Sequence, residues 1–265
     1  MASTLAILSS SRIDHRFALL SGTRRKALVC YITAGYPGVK KSLTLLRGLE
    51  EQGADIIEVG VPFSDPIADG PVIQESSMRA LQEGMTLERT LDLVGQARLN
   101  IPVVLFSYLN PILAAGETCL ERAASAGIDG VLVTDLPVGA DEEREAWLGQ
   151  SKLAFIRLVA PTTPLERMKE ISSHGSGFVY LISRLGVTGM QESISHELAP
   201  TIARLQSATD LPICVGFGIS TPAQARAVAD LASGVVVGSA LVQAAGRSID
   251  EALALAATLR SALDS

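Results

Sequence analysis

Apolar residues fall along this chain in short, nearly unbroken runs, separated by longer stretches with helical spacing. The runs are 27–32, 56–61, 102–107, 130–134, 154–159, 177–182, 212–216 and 234–238. They lack the in-out alternation of a half-exposed sheet, so both faces of each strand must be covered. Between them, residues 72–82 with 87–99, 117–126, 141–150, 164–173, 197–208 and 222–231 read as helices, and 249–263 closes the chain. Leu43, Leu46 and Leu49 give the same spacing after the first strand, and Ile13, Phe17 and Leu20 do so within 10–21. Strands alternating with helices predict a parallel sheet wrapped by helices. Eight such units predict an α/β protein of the closed (β/α)8 TIM-barrel class, with an extra N-terminal helix. The alternative is an open doubly wound sheet, because strand order is not visible in one sequence. A faint repeat supports the barrel: 53–57, 127–131 and 232–236 each lead a helix end into a strand.

Length agrees, since such a barrel takes about 250 residues and the chain has 265. No linker divides it, so one domain over 1–265 is expected, with residues 1–10 a poorly ordered extension. The net charge of −6 argues against nucleic acid as a partner. No apolar run approaches the roughly 18 residues of a membrane helix, which argues against a membrane. Cys30, Cys119 and Cys214 are widely spaced and read as buried thiols in a reducing compartment. The three histidines show no ligand spacing, so no metal site is expected. Residues 1–11 hold serines and no acid, as plastid targeting segments do, but lack an early basic cluster. The expected location is the cytoplasm.

Chemistry enters at 56–75. Glu58 lies inside the apolar run Ile56–Val61, where a carboxylate must be paired, neutralised or used. Asp69 follows in a loop stiffened by Pro62, Pro66 and Pro71. The structural readings are a core ion pair for Glu58 and a turn or helix cap for Asp69. In a barrel, sites form at the C-terminal strand ends and the loops beyond them. That rule selects Glu58, Asp69, Tyr108, Asn110, Asp135, Tyr180, Ser183, Thr188 and Gly189, with 216–220 and Gly238-Ser239. The glycine turns at 186–189, 216–220 and 238–240 can bring backbone amides against an anion, and the last two lead into helices. A phosphate site there is expected, held by amides and hydroxyls.

These segments resemble one family. VGVPFSDPIADGPVIQ, SYLNPI, VTDLP, VAPTT, YLISRLGVTG, GFGIS and VGSAL are similar in order and spacing to the tryptophan synthase alpha subunit, from about Arg12 to the last helix. The resemblance implies a barrel lyase that cleaves indole-3-glycerol phosphate to indole and glyceraldehyde 3-phosphate. It implies a beta subunit as partner in an alpha2beta2 complex. Pyridoxal phosphate is expected only in that partner, and no cofactor in this chain. Carried over by motif, Glu58 is the general acid/base, Asp69 the partner of the indole nitrogen, and Tyr180 the tyrosine near the glutamate. Tyr31 and Tyr108 wall the indole pocket, and Thr188 and Gly189 belong to a mobile loop at 183–193. Gly189, Gly218, Gly238 and Ser239 are phosphate ligands by motif or by their glycine turns, and Asp65 and Pro66 face the beta subunit. Arg157, inside the fifth strand, departs from the pattern, as do Leu185 and 190–192. The alternatives are a stand-alone lyase without a beta partner, a non-catalytic phosphate-binding regulatory subunit, and another phosphate-binding barrel. The PFSDPIADGP loop and the retention of both acids disfavour the last two.

Overall fold

The computed structural model describes residues 11–182, 191–216 and 218–265. Residues 1–10, Ser183, Leu185, Thr188 and Gly189, for which the sequence carries expectations, lie outside them. Eight parallel strands close on themselves in sequence order: β1 (Ala27–Thr33), β2 (Ile56–Gly60), β3 (Val103–Ser107), β4 (Gly130–Val133), β5 (Ala154–Val159), β6 (Val179–Ile182), β7 (Ile213–Gly216) and β8 (Gly234–Val237). The closed barrel is the first alternative of the sequence reading, and the open sheet is excluded because β1 pairs with both β2 and β8.

The helices are α1 (Arg12–Gly22), α2 (Val39–Glu51), α3 (Pro71–Gln82), α4 (Leu87–Ala97), α5 (Leu109–Ala114), α6 (Cys119–Ser125), α7 (Glu142–Gly149), α8 (Leu165–Ser173), α9 (Gln191–Gln206), α10 (Pro222–Ala229), α11 (Ser239–Arg247) and α12 (Ile249–Asp264). Two differ from expectation. The loop read at 108–111 turns directly into α5, because proline is tolerated in a first helical turn. α9 begins at 191 rather than 197, where the polar run before Leu198 carries no apolar stripe.

Strand pleating sends alternate side chains to two cores. Leu28, Cys30, Ile57 and Val59 face the helices. Val29, Ile56, Val104, Ile156, Phe178, Cys214 and Val236 fill the barrel interior, where Ile13, Phe17 and Leu20 of α1 join them. α1 thus plugs the lower end, with its start fixed by a capping box between Ser11 and Asp14. All three cysteines are buried and free.

The faint repeat has a physical basis at this lower end. A side chain just ahead of each even-numbered strand, immediately before β2, β4 and β8 and three residues before β6, accepts a hydrogen bond from a backbone N–H near the start of the preceding strand. The pairs are Leu28 N to Asp55 (2.9 Å), Val103 N to Asp129 (2.9 Å), Phe155 N to Ser176 (2.9 Å) and Ile213 N to Ser233 (3.2 Å). Asp55 is the most deeply tied. Arg260 of α12 reaches it at 2.8 Å and also holds Asp264 at 2.7 Å, so the last helix is clamped to the first two strands. Arg260→Met should cost about 3 kcal/mol, because it strands a buried carboxylate, and Asp55→Asn in the same chain should restore part of the loss. Urea unfolding of the single and double variants measures both.

Candidate active site

Two residues beyond the interior layer, the same pleat brings Tyr31, Glu58, Phe106, Leu158 and Tyr180 inward at the upper end of the barrel. They floor and wall a cavity of about 180 Å³. Tyr31 and Tyr180 fit because the neighbouring strand has glycine two positions beyond the residue paired with each, Gly60 beyond Glu58 and Gly216 beyond Cys214. A Cβ at Gly60 would overlap the Tyr31 hydroxyl, and one at Gly216 the Tyr180 hydroxyl. The Tyr31 ring meets Phe106 edge-on, with centroids 5.2 Å apart.

Glu58 is fully buried, and neither carboxylate oxygen has a hydrogen-bond partner among the described residues. Among the described residues there is therefore no core ion pair for Glu58. Burial alone pushes its carboxyl up to about 8, so at neutral pH the group holds its proton. A nearby Glu58 charge would in turn raise the Tyr180 hydroxyl, which burial already lifts well above its ordinary value.

Asp69 is half-buried at the cavity edge. It is not a helix cap: Gly70 occupies the cap of α3, and no side chain bonds there. Its backbone is instead pinned by Asp69 N to Pro66 O at 3.1 Å and by Gln74 Nε2 to Asp69 O at 2.9 Å. The Tyr108 hydroxyl donates to Asp69 Oδ2 at 3.0 Å and accepts from Ala68 N at 2.9 Å. Burial raises the Asp69 carboxyl above its usual range, and the Tyr108 hydrogen bond opposes that rise. Tyr108 thus reaches the site as a support for Asp69, with Phe63 packed on its ring at 4.9 Å. Phe106 supplies the second aromatic wall. The sequence reading missed it, although its place two residues after inward Val104 is the signal that finds it.

The loops after β7 and β8 add Gly218, Gly238 and Ser239 to the rim. The two helices behind these loops differ. α10 closes its own start: Gln224 Oε1 accepts from Ser220 N and Thr221 N, and Thr221 Oγ1 accepts from Gln224 N. α11 has Gly238 at its cap and no side chain on its first amides. Free amides and the positive end of a helix therefore face the cavity from α11. Gly218 has φ +83°, a conformation that glycine adopts without strain. Thr188 and Gly189 lie outside the described residues. Asp65 is exposed and Pro66 half-buried, beside Phe63, Ile67 and Met78 in an open groove on the outer side of the loop. Among the described residues there is no cluster that could hold a metal ion, and no helix is long and apolar enough to cross a membrane.

The model of the tryptophan synthase alpha chain family matches residues 17–263. The chain belongs to the tryptophan synthase alpha chain family. It is 49% identical to the tryptophan synthase alpha chain of Desulfatibacillum aliphaticivorans, covering 87% of this chain and 88% of that one. For the alpha chain of Caulobacter sp. (strain K31) the identity is 47%, over 89% and 87%. Among solved structures, tryptophan synthase subunit alpha from Legionella pneumophila str. Paris superposes with a TM-score of 0.88 at 35% identity, covering 97% of this chain and 99% of that one. A chain of tryptophan synthase from M. tuberculosis, in its aminoacrylate-bound form, gives 0.86 at 33%, over 96% and 100%. Members of this family are lyases, and the solved structures share the barrel fold with this chain.

An acid whose pKa is higher in the folded chain than in the unfolded one lowers stability as pH rises. The unfolded Glu58 ionises near 4.5, and the folded one near 8. The destabilisation therefore grows between those values and is constant above. Glu58→Gln removes it. This variant should match wild type in urea unfolding at pH 4.5 and exceed it at pH 8.

Proposed function

We propose that this chain cleaves indole-3-glycerol phosphate to indole and glyceraldehyde 3-phosphate, as the alpha subunit of tryptophan synthase. The observation that carries this reading is Glu58: buried, unpartnered and opening on the same cavity as Asp69. Family membership supplies the substrate and the pathway, L-tryptophan biosynthesis.

The reaction is a retro-aldol. A proton is added to indole C3, and the ring nitrogen becomes an iminium. The side-chain hydroxyl on the adjoining carbon then loses its proton, and a carbonyl forms there. The electrons of the C–C bond return to the ring, and the nitrogen regains its lone pair. Glu58 suits both transfers. Protonated at neutral pH, it can give its proton to C3, and as the resulting carboxylate it can accept the hydroxyl proton. Asp69, held by Tyr108, would stabilise the positive charge on the nitrogen. Tyr31, Phe106 and Leu158 offer apolar walls for the indole, and Tyr180 stands over Glu58 at the floor. The phosphate would lie at the first amides of α11, with Gly238, Ser239 and Gly218, and with Gly189 contributed by motif, while Thr188 would bind the rest of the substrate. This step asks only for an acid, a base and fixed dipoles from the chain itself.

We further propose a beta subunit, carrying pyridoxal phosphate, as the partner. Ile67 is 78% exposed and Met78 53%, an apolar surface beside the loop that ends at Asp69. A partner seated on Asp65, Pro66 and Ile67 would act on Asp69 through a stiff segment. Product indole is apolar and suited to direct passage.

The deciding assay is indole release from indole-3-glycerol phosphate, with and without a beta subunit. Glu58→Gln and Asp69→Asn should each lower kcat by ~10²–10⁴-fold with the fold intact. Near-wild-type turnover by Glu58→Gln would falsify the assignment. Gly238→Val should raise KM more than it lowers kcat, since a Cβ there only touches Tyr31 at 3.5 Å and leaves the barrel undisturbed. Titration of a beta subunit should raise activity. Ile67→Glu or a substitution at Asp65 should weaken complex formation, measured by calorimetry, while leaving the unassisted rate near wild type; a substitution at Pro66 should weaken the complex and abolish activation. High activity alone, with no complex at micromolar concentration, would favour the stand-alone lyase.

A further inference from the structure

Arg157 sits on the outer face of β5, where the neighbouring outward positions are apolar, and its side chain is 5% exposed. Its guanidinium stacks on Phe155, 3.8 Å from the ring centroid. All three nitrogens are used. Nη2 donates to Glu145 Oε2 of α7 at 2.6 Å, Nε to His174 O at the end of α8 at 3.1 Å, and Nη1 to Leu136 O at 3.3 Å. Glu145 Oε1 accepts from Gly139 N at 2.6 Å. The pair therefore grips the loop after β4 at two points, Leu136 and Gly139.

That loop begins at the active site. Thr134 lines the cavity, and Asp135 Oδ1 accepts from Leu109 N, the first residue of α5, at 2.8 Å. The residue before Leu109 is Tyr108, which donates to Asp69. We infer that the Arg157–Glu145 pair is a positioning element of the active site: it fixes the loop after β4, and through Asp135 and α5 it sets the Tyr108 hydroxyl against Asp69. A buried ion pair gains little net stability over apolar packing of the same volume. What it supplies is a fixed direction for every hydrogen bond around it, and a planar fork can hold a carboxylate and two carbonyls at once. Neither residue touches the cavity, so their action runs through Asp135 and Tyr108.

The inference rests on the proposed role of Asp69, and its test has a readout independent of catalysis. The full chain is labelled with ¹³C-aspartate, and the Asp69 carboxyl signal is assigned by its loss in Asp69→Asn. Tyr108→Phe removes a donor that stabilises the ionised form, so the Asp69 midpoint should rise. Glu145→Gln combined with Arg157→Met removes both charges together and leaves neither stranded. It should raise the midpoint in the same direction, and add nothing further in the Tyr108→Phe chain. Groups coupled through one contact are non-additive in this way. With a cleavage assay, kcat should fall roughly 2–30-fold with KM less affected. If the double variant does not fold, Arg157→Lys, which keeps the charge but loses the fork, takes its place. An unchanged Asp69 midpoint in a folded variant, or a shift that adds to that of Tyr108→Phe, would overturn the inference and leave the pair a packing feature. If the wild-type chain did not cleave indole-3-glycerol phosphate, the functional reading would fail while the titration still decided the positioning role.

Discussion

The upper half of this barrel depends on one carboxyl group held in an apolar interior without a partner. Glu58 is fully buried at the floor of the cavity and finds no donor among the described residues. Such burial is tolerated because the group keeps its proton, and the penalty appears as a raised pKa rather than as a stranded charge. The same arrangement makes the group chemically useful, since an acid near neutrality can both give and take a proton. Stability lost at Glu58 must be made up elsewhere. The lower half does so with paired charges and apolar packing: Asp55 with Arg260, Asp129 with Arg12, and α1 as an apolar plug. Stability and chemistry thus occupy opposite ends of one set of strands, as expected of this fold.

Much of this was legible in the sequence, for a reason peculiar to barrels. Strands covered on both faces read as unbroken apolar runs, so all eight were visible, and any acid inside one stood out. Glu58 needed no other signal. Asp69 was visible as a carboxylate in a proline-stiffened loop, but its support was not. Tyr108 is 39 residues away, and only the closure of β2 against β3 brings the two together. Arg157 was conspicuous as a charge in a strand, and its partner was hidden because α7 and β5 meet only in three dimensions. Phe106 was recoverable by counting two along the pleat from Val104. The glycine turns after β7 and β8 looked alike, yet Thr221 and Gln224 stand at capping-box spacing. That pair marks the start of α10 as already satisfied.

The difference between those two helix starts gives the cavity a direction. An anion has no open helix terminus at α10, where Gln224 already accepts from the amides of Ser220 and Thr221. At α11 the amides are free, and the helix dipole favours negative charge there. Asp69 lines the same cavity from the loop after β2; its charge repels an anion and attracts a cation, while Glu58 at neutral pH is uncharged and neither helps nor hinders. A ligand with an anionic end and an aromatic end is therefore oriented by electrostatics alone. Its phosphate is drawn to α11 and its ring is left among Tyr31, Phe106 and Leu158, near the two acids. In the proposed reaction this polarity has a kinetic meaning. The positive charge on the ring nitrogen forms beside Asp69, and the phosphate that could compete for it is held by the first amides of α11. Binding energy at α11 then serves to place the reacting bond over Glu58, which is how a group remote from the chemistry contributes to its rate.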